Sequence, residues 1–169
     1  MPTPAVRVLE AAQVPYRLAP FDPALSHLGA GYGRAAAEAL GVDPARVFKT
    51  LMVAVDGVLW CGIVPVGGEL DLKAMARAAD GKKAQMVPAA DAERATGYVV
   101  GGISPLGQRR THPTVVDSSA LACQTVFVSA GARSLDVELA PADLIRLTQA
   151  RTSAIGRRLD PLGSRNLCT

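Results

Sequence analysis

Residues 50–66 read TLMVAVDGVLWCGIVPV. Two apolar runs, Thr50 to Val55 and Val58 to Val66, are separated only by Asp56-Gly57. An Asp-Gly pair between such runs signals a two-residue hairpin, because the favoured turn needs positive φ at both central positions. A hairpin makes neighbouring strands antiparallel, which a regular βαβ alternation does not allow.

The segments on either side extend this reading. After Gly67-Gly68, DLKAMARAAD predicts a helix ending at Gly81, KAQMV a strand, and residues 88–96 a helix. Strands are expected at Thr114 to Val116, Thr125 to Ser129 and Leu135 to Leu139, then a helix from Pro141 to about Gln149. Upstream, Thr3-Pro4 supplies an N-cap and a proline at the first helical position, for a helix to Ala12. Tyr16 to Ala19 reads as a strand. The glycine-rich stretch 29–33 leads into RAAAEAL, which Gly41 closes. Strands outnumber a βαβ pattern, so the fold class is α+β, a single domain with a mixed sheet and helices. It is expected over residues 1–155, with GRRLDPLGSRNLCT at 156–169 as a flexible C-terminal tail.

Composition narrows the function. With 169 residues, 49% of them hydrophobic, and a mean hydropathy of +0.21, the chain suffices for one well-packed domain. A net charge of +3 and a pI near 9.0 are compatible with an acidic partner without requiring one. No apolar run approaches the roughly 20 residues of a membrane span. The start MPTPAVRVLEAAQVP lacks the pattern of a signal peptide. Cys61, Cys123 and Cys168 form no C-x-x-C motif and suit a reducing compartment. A soluble, cytoplasmic protein is the expectation.

Most catalytic schemes fail on residue type. His27 and His112 have no acid or thiol at metal-ligand spacing, so neither a metal site nor a cofactor is expected. The glycines at 29, 31 and 33 do not form G-x-G-x-x-G, and no Gly-Lys-Ser/Thr follows. Ser104 lies in Gly102-Ile103-Ser104-Pro105-Leu106-Gly107, one residue off the hydrolase elbow G-x-S-x-G. The elbow also takes an oxyanion donor from the residue after the serine, and Pro105 has no N–H. No cysteine has a basic neighbour to make it a thiolate.

Two features remain. GGISPLG, residues 101–107, gives up side chains where backbone groups can meet a ligand, although a plain turn has the same composition. Lys49, in VFKTLMVAV, stands at the mouth of an apolar strand, where its ammonium either reaches a pocket or is solvated.

Together with TPAVRVLEAAQVPY, VFKTLMVAVDG, GGELDLKAMARA, ATGYVVGGISPLGQRR, TVVD and VFVSAGARSLDVEL, in that order, these features resemble the YbaK-like aminoacyl-tRNA deacylases, relatives of the prolyl-tRNA synthetase editing domain. The resemblance spans about residues 3 to 155. It implies a mixed, β-barrel-like sheet surrounded by helices. It also implies a freestanding editing hydrolase, or lyase by mechanism, for mischarged tRNA, most typically Cys-tRNA(Pro), that uses no metal or cofactor.

Position by position, Lys49 matches the essential lysine, which holds the terminal adenosine and carbonyl region. Gly101, Gly102, Ile103, Ser104 and Pro105 match the G-x-x-x-P substrate loop. Ser129 and Asp136 match pocket positions that contact the aminoacyl group or terminal ribose, and Thr50 matches a pocket contact. Phe21 stands where such relatives can carry tyrosine, so no hydroxyl acts there. Arg109 and Arg110, beside the loop, are candidates for tRNA phosphate contacts, and prolyl-tRNA synthetase is a candidate partner. The same features leave open a deacylase for Ala-tRNA(Pro) or a Ser/Thr-tRNA, or a non-catalytic nucleotide- or RNA-binding module.

Overall fold

The computed structural model describes residues 1–22 and 32–158. His27, the glycines at 29 and 31, Cys168 and the tail beyond residue 158 lie outside the described residues.

The hairpin forms as its turn chemistry predicts. β2 (Phe48–Val55) and β3 (Val58–Pro65) pair antiparallel, with Val55 opposite Val58 and Phe48 opposite Pro65. Asp56 and Gly57 take φ of 49° and 84°, which matches the strand twist. The Asp56 carboxylate accepts the N–H groups of Lys82 (2.8 Å) and Lys83 (3.0 Å). This ties the turn to β5 (Ala84–Met86), which pairs along the free edge of β2.

On the other edge of β3 lies β6 (Thr114–Asp117), parallel to it, followed by β9 (Arg151–Ser153), parallel to β6. The five-stranded sheet is therefore mixed, in the order β5-β2-β3-β6-β9. A second, antiparallel sheet is built from β1 (Tyr16–Pro20), β8 (Leu135–Leu139) and β7 (Val126–Ala132), with β8 central. A parallel bridge between Val47 and Phe127 joins the two sheets beside the start of β2. The expected α+β domain forms, but its described sheets do not close into a barrel.

Helices cover these sheets. In α1 (Pro4–Ala12), the Thr3 hydroxyl accepts the Val6 N–H (3.2 Å) and donates to the Ala130 carbonyl (2.5 Å), so one cap also pins the helix to β7. Ala5, Val6 and Leu9 of α1 join Phe48, Ile63, Val128 and Val137 in the main core, with Leu144 from α5 (Pro141–Thr148). α3 (Leu72–Ala78) packs Met75 against Val53, Val64 and Val115 on the sheet's other face. α2 (Tyr32–Leu40) and α4 (Ala89–Thr96) flank the junction of the sheets. No described helix is long and apolar enough to cross a membrane.

Three short strands depart from the sequence reading, β9 among them. β4 (Gly68–Leu70), to which the sequence reading assigns no element, pairs antiparallel with β10 (Gly156–Arg158), expected in the tail. Asp117 makes this pairing possible. Its carboxylate accepts the N–H groups of Ile155 (2.9 Å), Gly156 (2.8 Å) and Ser119 (3.2 Å), and the Ser119 hydroxyl (2.5 Å). Asp117→Ala leaves those donors without their acceptor and is expected to cost about 3 kcal/mol in urea unfolding. Hydrogen exchange should then speed up most at the amides of 155 and 156.

Candidate functional site

Where the two sheets meet, a cavity of about 360 Å³ opens between α2, β2, α4 and the glycine loop. Its wall is mostly apolar, with Ala36, Val47, Met52, Val66, Val87 and Ile103 among its residues. Among the described residues, four polar side chains line it: Lys49, Thr50, Ser129 and Asp136. Sequence separations of up to 87 residues collapse into one small space by strand geometry alone.

Lys49 stands at the start of β2 beside Phe48, which packs into the main core, and both residues line the cavity. The half-buried Lys49 Nζ donates to the Gly68 carbonyl at 2.9 Å. Burial pulls its pKa down, Glu69 opposes that, and Arg34 adds to the lowering. The ammonium is thus held at a fixed point where negative charge on a ligand is favoured.

Asp136 and Ser129 face each other as a cross-strand pair of β8 and β7. The register shifts immediately after Ser129, and its hydroxyl accepts the Gly131 N–H at 3.1 Å across the irregularity. Asp136 is 7% exposed, and burial raises its carboxyl to about 7. A buried carboxylate poised at neutral pH suits recognition of a cation inside the cavity. It also costs stability, with a definite sign. The folded value lies above the ordinary 3.8, so the native state binds the extra proton between those limits. Stability from this group is full below pH 3.8 and is lost as pH rises through about 7. Urea unfolding of wild type against Asp136→Asn should therefore shift in the variant's favour by about 2–4 kcal/mol between pH 4 and 8.

Thr50 contributes a buried hydroxyl with no hydrogen-bond partner among the described residues. An unmet buried polar group costs about 1–3 kcal/mol, which a ligand contact offsets.

The glycine loop divides its labour. Gly101, with φ 92°, and Ile103 line the cavity. Gly102 sits behind them, and a Cβ there would stand 2.9 Å from the backbone of Ala132 and Arg133. Only glycine allows this approach to the end of β7. Ser104 is fully buried and does not line the cavity. Its hydroxyl accepts the Leu106 N–H (3.2 Å), and its carbonyl accepts Gln108 Nε2 (3.0 Å). Pro105 faces a separate cavity, shared with Gln108, His112 and Thr148. Ser104 and Pro105 thus shape the loop from behind.

Arg109 and Arg110 are exposed and line neither cavity, although Gln108 and Thr111 beside them line the second. Cys61, at 1% exposure, has its thiol pushed up to about 11 by burial, so it supplies no thiolate at neutral pH. The sequence reading missed the Gly68 carbonyl that holds Lys49, and Arg34 beside it. A backbone acceptor leaves no residue-type signal.

Comparison with known proteins shows the family and the fold. Residues 31–147 match the aminoacyl-tRNA editing domain, and the chain belongs to that family. It is 37% identical over 155 residues to EbsC of Enterococcus faecalis, assigned as a Cys-tRNA(Pro)/Cys-tRNA(Cys) deacylase, covering 90% of this chain and 92% of EbsC. YwhH of Bacillus subtilis is 34% identical over 110 residues, covering 64% of this chain and 69% of YwhH. The fold is shared with the crystal structure of a protein assigned as a trans-editing enzyme for prolyl-tRNA synthetase. That match has a TM-score of 0.77 at 20% identity, over 93% of this chain and 99% of the other. The protein APE2540 has the same fold, with a TM-score of 0.78 at 24% identity over 91% and 99% of the chains.

Proposed function

We propose that this chain is a trans-editing deacylase that cleaves the ester of mischarged tRNA, Cys-tRNA(Pro) foremost, using the substrate's own thiol. The observation that carries the reading is a cavity holding a fixed ammonium and a carboxylate. Among its described lining residues there is no histidine or cysteine, and its one serine has its hydroxyl turned to a backbone N–H. The close relationship to EbsC supports the choice of cysteine.

Each group then has a task. Ionised Asp136 receives the α-ammonium of the aminoacyl group, with Ser129 beside it. Gly101 and Ile103 present backbone to the aminoacyl moiety. Thr50 meets the ester region. Lys49 holds the carbonyl and terminal ribose and stabilises the oxyanion. The thiol, near pKa ~8.5 and partly ionised at neutral pH, attacks the carbonyl carbon. The carbon–oxygen bond to the ribose breaks, the ribose oxygen takes a proton, and the cysteine leaves as a four-membered thiolactone that water opens.

This chemistry answers a problem that binding alone leaves unsolved. Proline and cysteine have similar volumes, and a methylene's difference is worth only about 1–3 kcal/mol. A test based on nucleophilicity rejects alanine and disfavours serine, and prolyl groups survive because they carry no nucleophile. Capture of the tRNA near prolyl-tRNA synthetase is part of the proposal, and co-purification of the two proteins tests it.

The decisive assay follows ester loss from cysteinyl-, alanyl- and prolyl-tRNA(Pro). Selective loss of the cysteinyl ester supports the proposal. Preferential loss of alanine keeps the editing site but discards the thiol mechanism. No hydrolysis leaves a binding module. The pH profile adds a second check: kcat/KM should rise through about pH 7 as Asp136 ionises, and Asp136→Asn should remove that limb.

A further inference from the structure

One rim of the cavity gathers positive charge around the turn between β3 and β4. Arg34, near the start of α2, donates Nη2 to the Gly67 carbonyl at 3.2 Å. Lys49 donates to the next carbonyl, that of Gly68, at 2.9 Å. Two cations therefore stand on successive carbonyls of one turn, and each keeps donors to spare. Arg34 makes no ion pair among the described residues. The nearby acid, Glu69, is itself shared with Arg157, 3.8 Å away across the β4–β10 pair. Arg34, Lys49 and Arg157 thus gather around Gly67–Glu69, faced by Glu69 and, near Arg157, by Asp71.

This rim adjoins the cavity. Gly33, next to Arg34, and Lys49 both line it. A space of about 360 Å³ accommodates an aminoacyl group and part of a nucleoside. The polymer beyond that nucleoside must lie outside, and its repeating group is an anionic phosphodiester. Arginine suits this task because its planar fork pairs with two phosphate oxygens.

We infer that Arg34 and Arg157 hold the phosphodiesters immediately preceding the terminal nucleotide, so that a single-stranded RNA 3′ end enters across the β4–β10 pair. This rests on the editing reading and adds a direction of entry to it. Arg109 and Arg110, adjoining residues of the second cavity, are then outside the path of the terminal nucleotides.

The test uses the full chain and an uncharged acceptor-stem minihelix ending in CCA, with affinity followed by fluorescence anisotropy across a salt series. Arg34→Gln and Arg157→Gln should each weaken binding roughly 5–10-fold at low salt and reduce the log–log salt slope by about 0.7. The double variant of Arg109 and Arg110 to Gln should change binding less than twofold at roughly constant slope. A neutral methylphosphonate at the last linkage should weaken wild type by a similar factor and add little to the loss in Arg34→Gln. Equal thermal midpoints check that these surface variants fold. Loss of binding in the Arg109/Arg110 variant, with wild-type behaviour in the other two, overturns the proposal. So does a methylphosphonate penalty independent of Arg34. Failure of the editing reading shows up separately, as a wild-type protein that binds the minihelix yet cleaves no aminoacyl ester.

Discussion

Lys49→Ala is expected to slow single-turnover cleavage of cysteinyl-tRNA about 10²–10³-fold, with a smaller loss of tRNA affinity. Removing one preorganised donor from a developing oxyanion has that effect in other enzymes. The lysine is well suited to the role because the Gly68 carbonyl fixes its ammonium before substrate arrives, so little reorganisation accompanies the reaction. Lys49→Arg should not rescue the rate. A guanidinium places its charge farther along the side chain and presents a planar fork where an ammonium now fits against one carbonyl. Lys49→Met, similar in length and uncharged, should fold normally and be as slow as the alanine variant. A loss confined to affinity, with the cleavage rate unchanged, would assign Lys49 to binding alone.

Gly102→Val should be the most damaging change outside the polar residues. Its Cβ would meet backbone of Ala132 and Arg133 at 2.9 Å, and backbone cannot swing aside as a side chain does. The loop must retreat, at a cost of about 1–3 kcal/mol in stability. It takes with it Gly101 and Ile103, which line the cavity. A shift of order 1 Å at such a position lowers activity about 10²-fold. Gly102→Ala, which adds the same Cβ and nothing more, should fall between wild type and valine. Urea unfolding and single-turnover cleavage on the three proteins check both effects. A valine variant of native activity would show that the loop's position is not set by this contact.

These two residues also show how far the sequence could be read. Lys49 announced itself as a charge at the mouth of an apolar strand, and the hairpin behind it followed from Asp56-Gly57. The glycines at 101 and 102 were visible as missing side chains, but their division of labour was not. Gly101 opens the cavity while Gly102 serves the approach to β7, a distinction that depends on Ala132 and Arg133. Ser104 looked like part of the substrate surface because the motif contains it, yet it faces Leu106 and Gln108.

Three strands escaped the sequence reading for related reasons. β4, β9 and β10 are three residues each, too short for alternation to register. Gly67-Gly68 reads as a turn by local propensity. Gly67 stays in the turn, while Gly68 pairs within β4, where Asp117, far along the chain, fixes Ile155 and Gly156 at the start of the partner strand. Arg34 lies in a helix whose preceding glycines do not form a phosphate loop, so it carries no ligand signal in the sequence. Its alignment with Lys49 arises only when the β3–β4 turn brings Gly67 and Gly68 between them.

The central claim is that the substrate supplies the nucleophile, and one isosteric comparison tests it most directly. Cysteinyl-tRNA(Pro) and 2-aminobutyryl-tRNA(Pro) differ by a thiol replaced with a methyl group of similar size. Both should bind, and only the cysteinyl ester should be cleaved, with the aminobutyryl ester lost no faster than in buffer. Cleavage of both at comparable rates would contradict the account and require water, activated by a group in the cavity, as the attacking species.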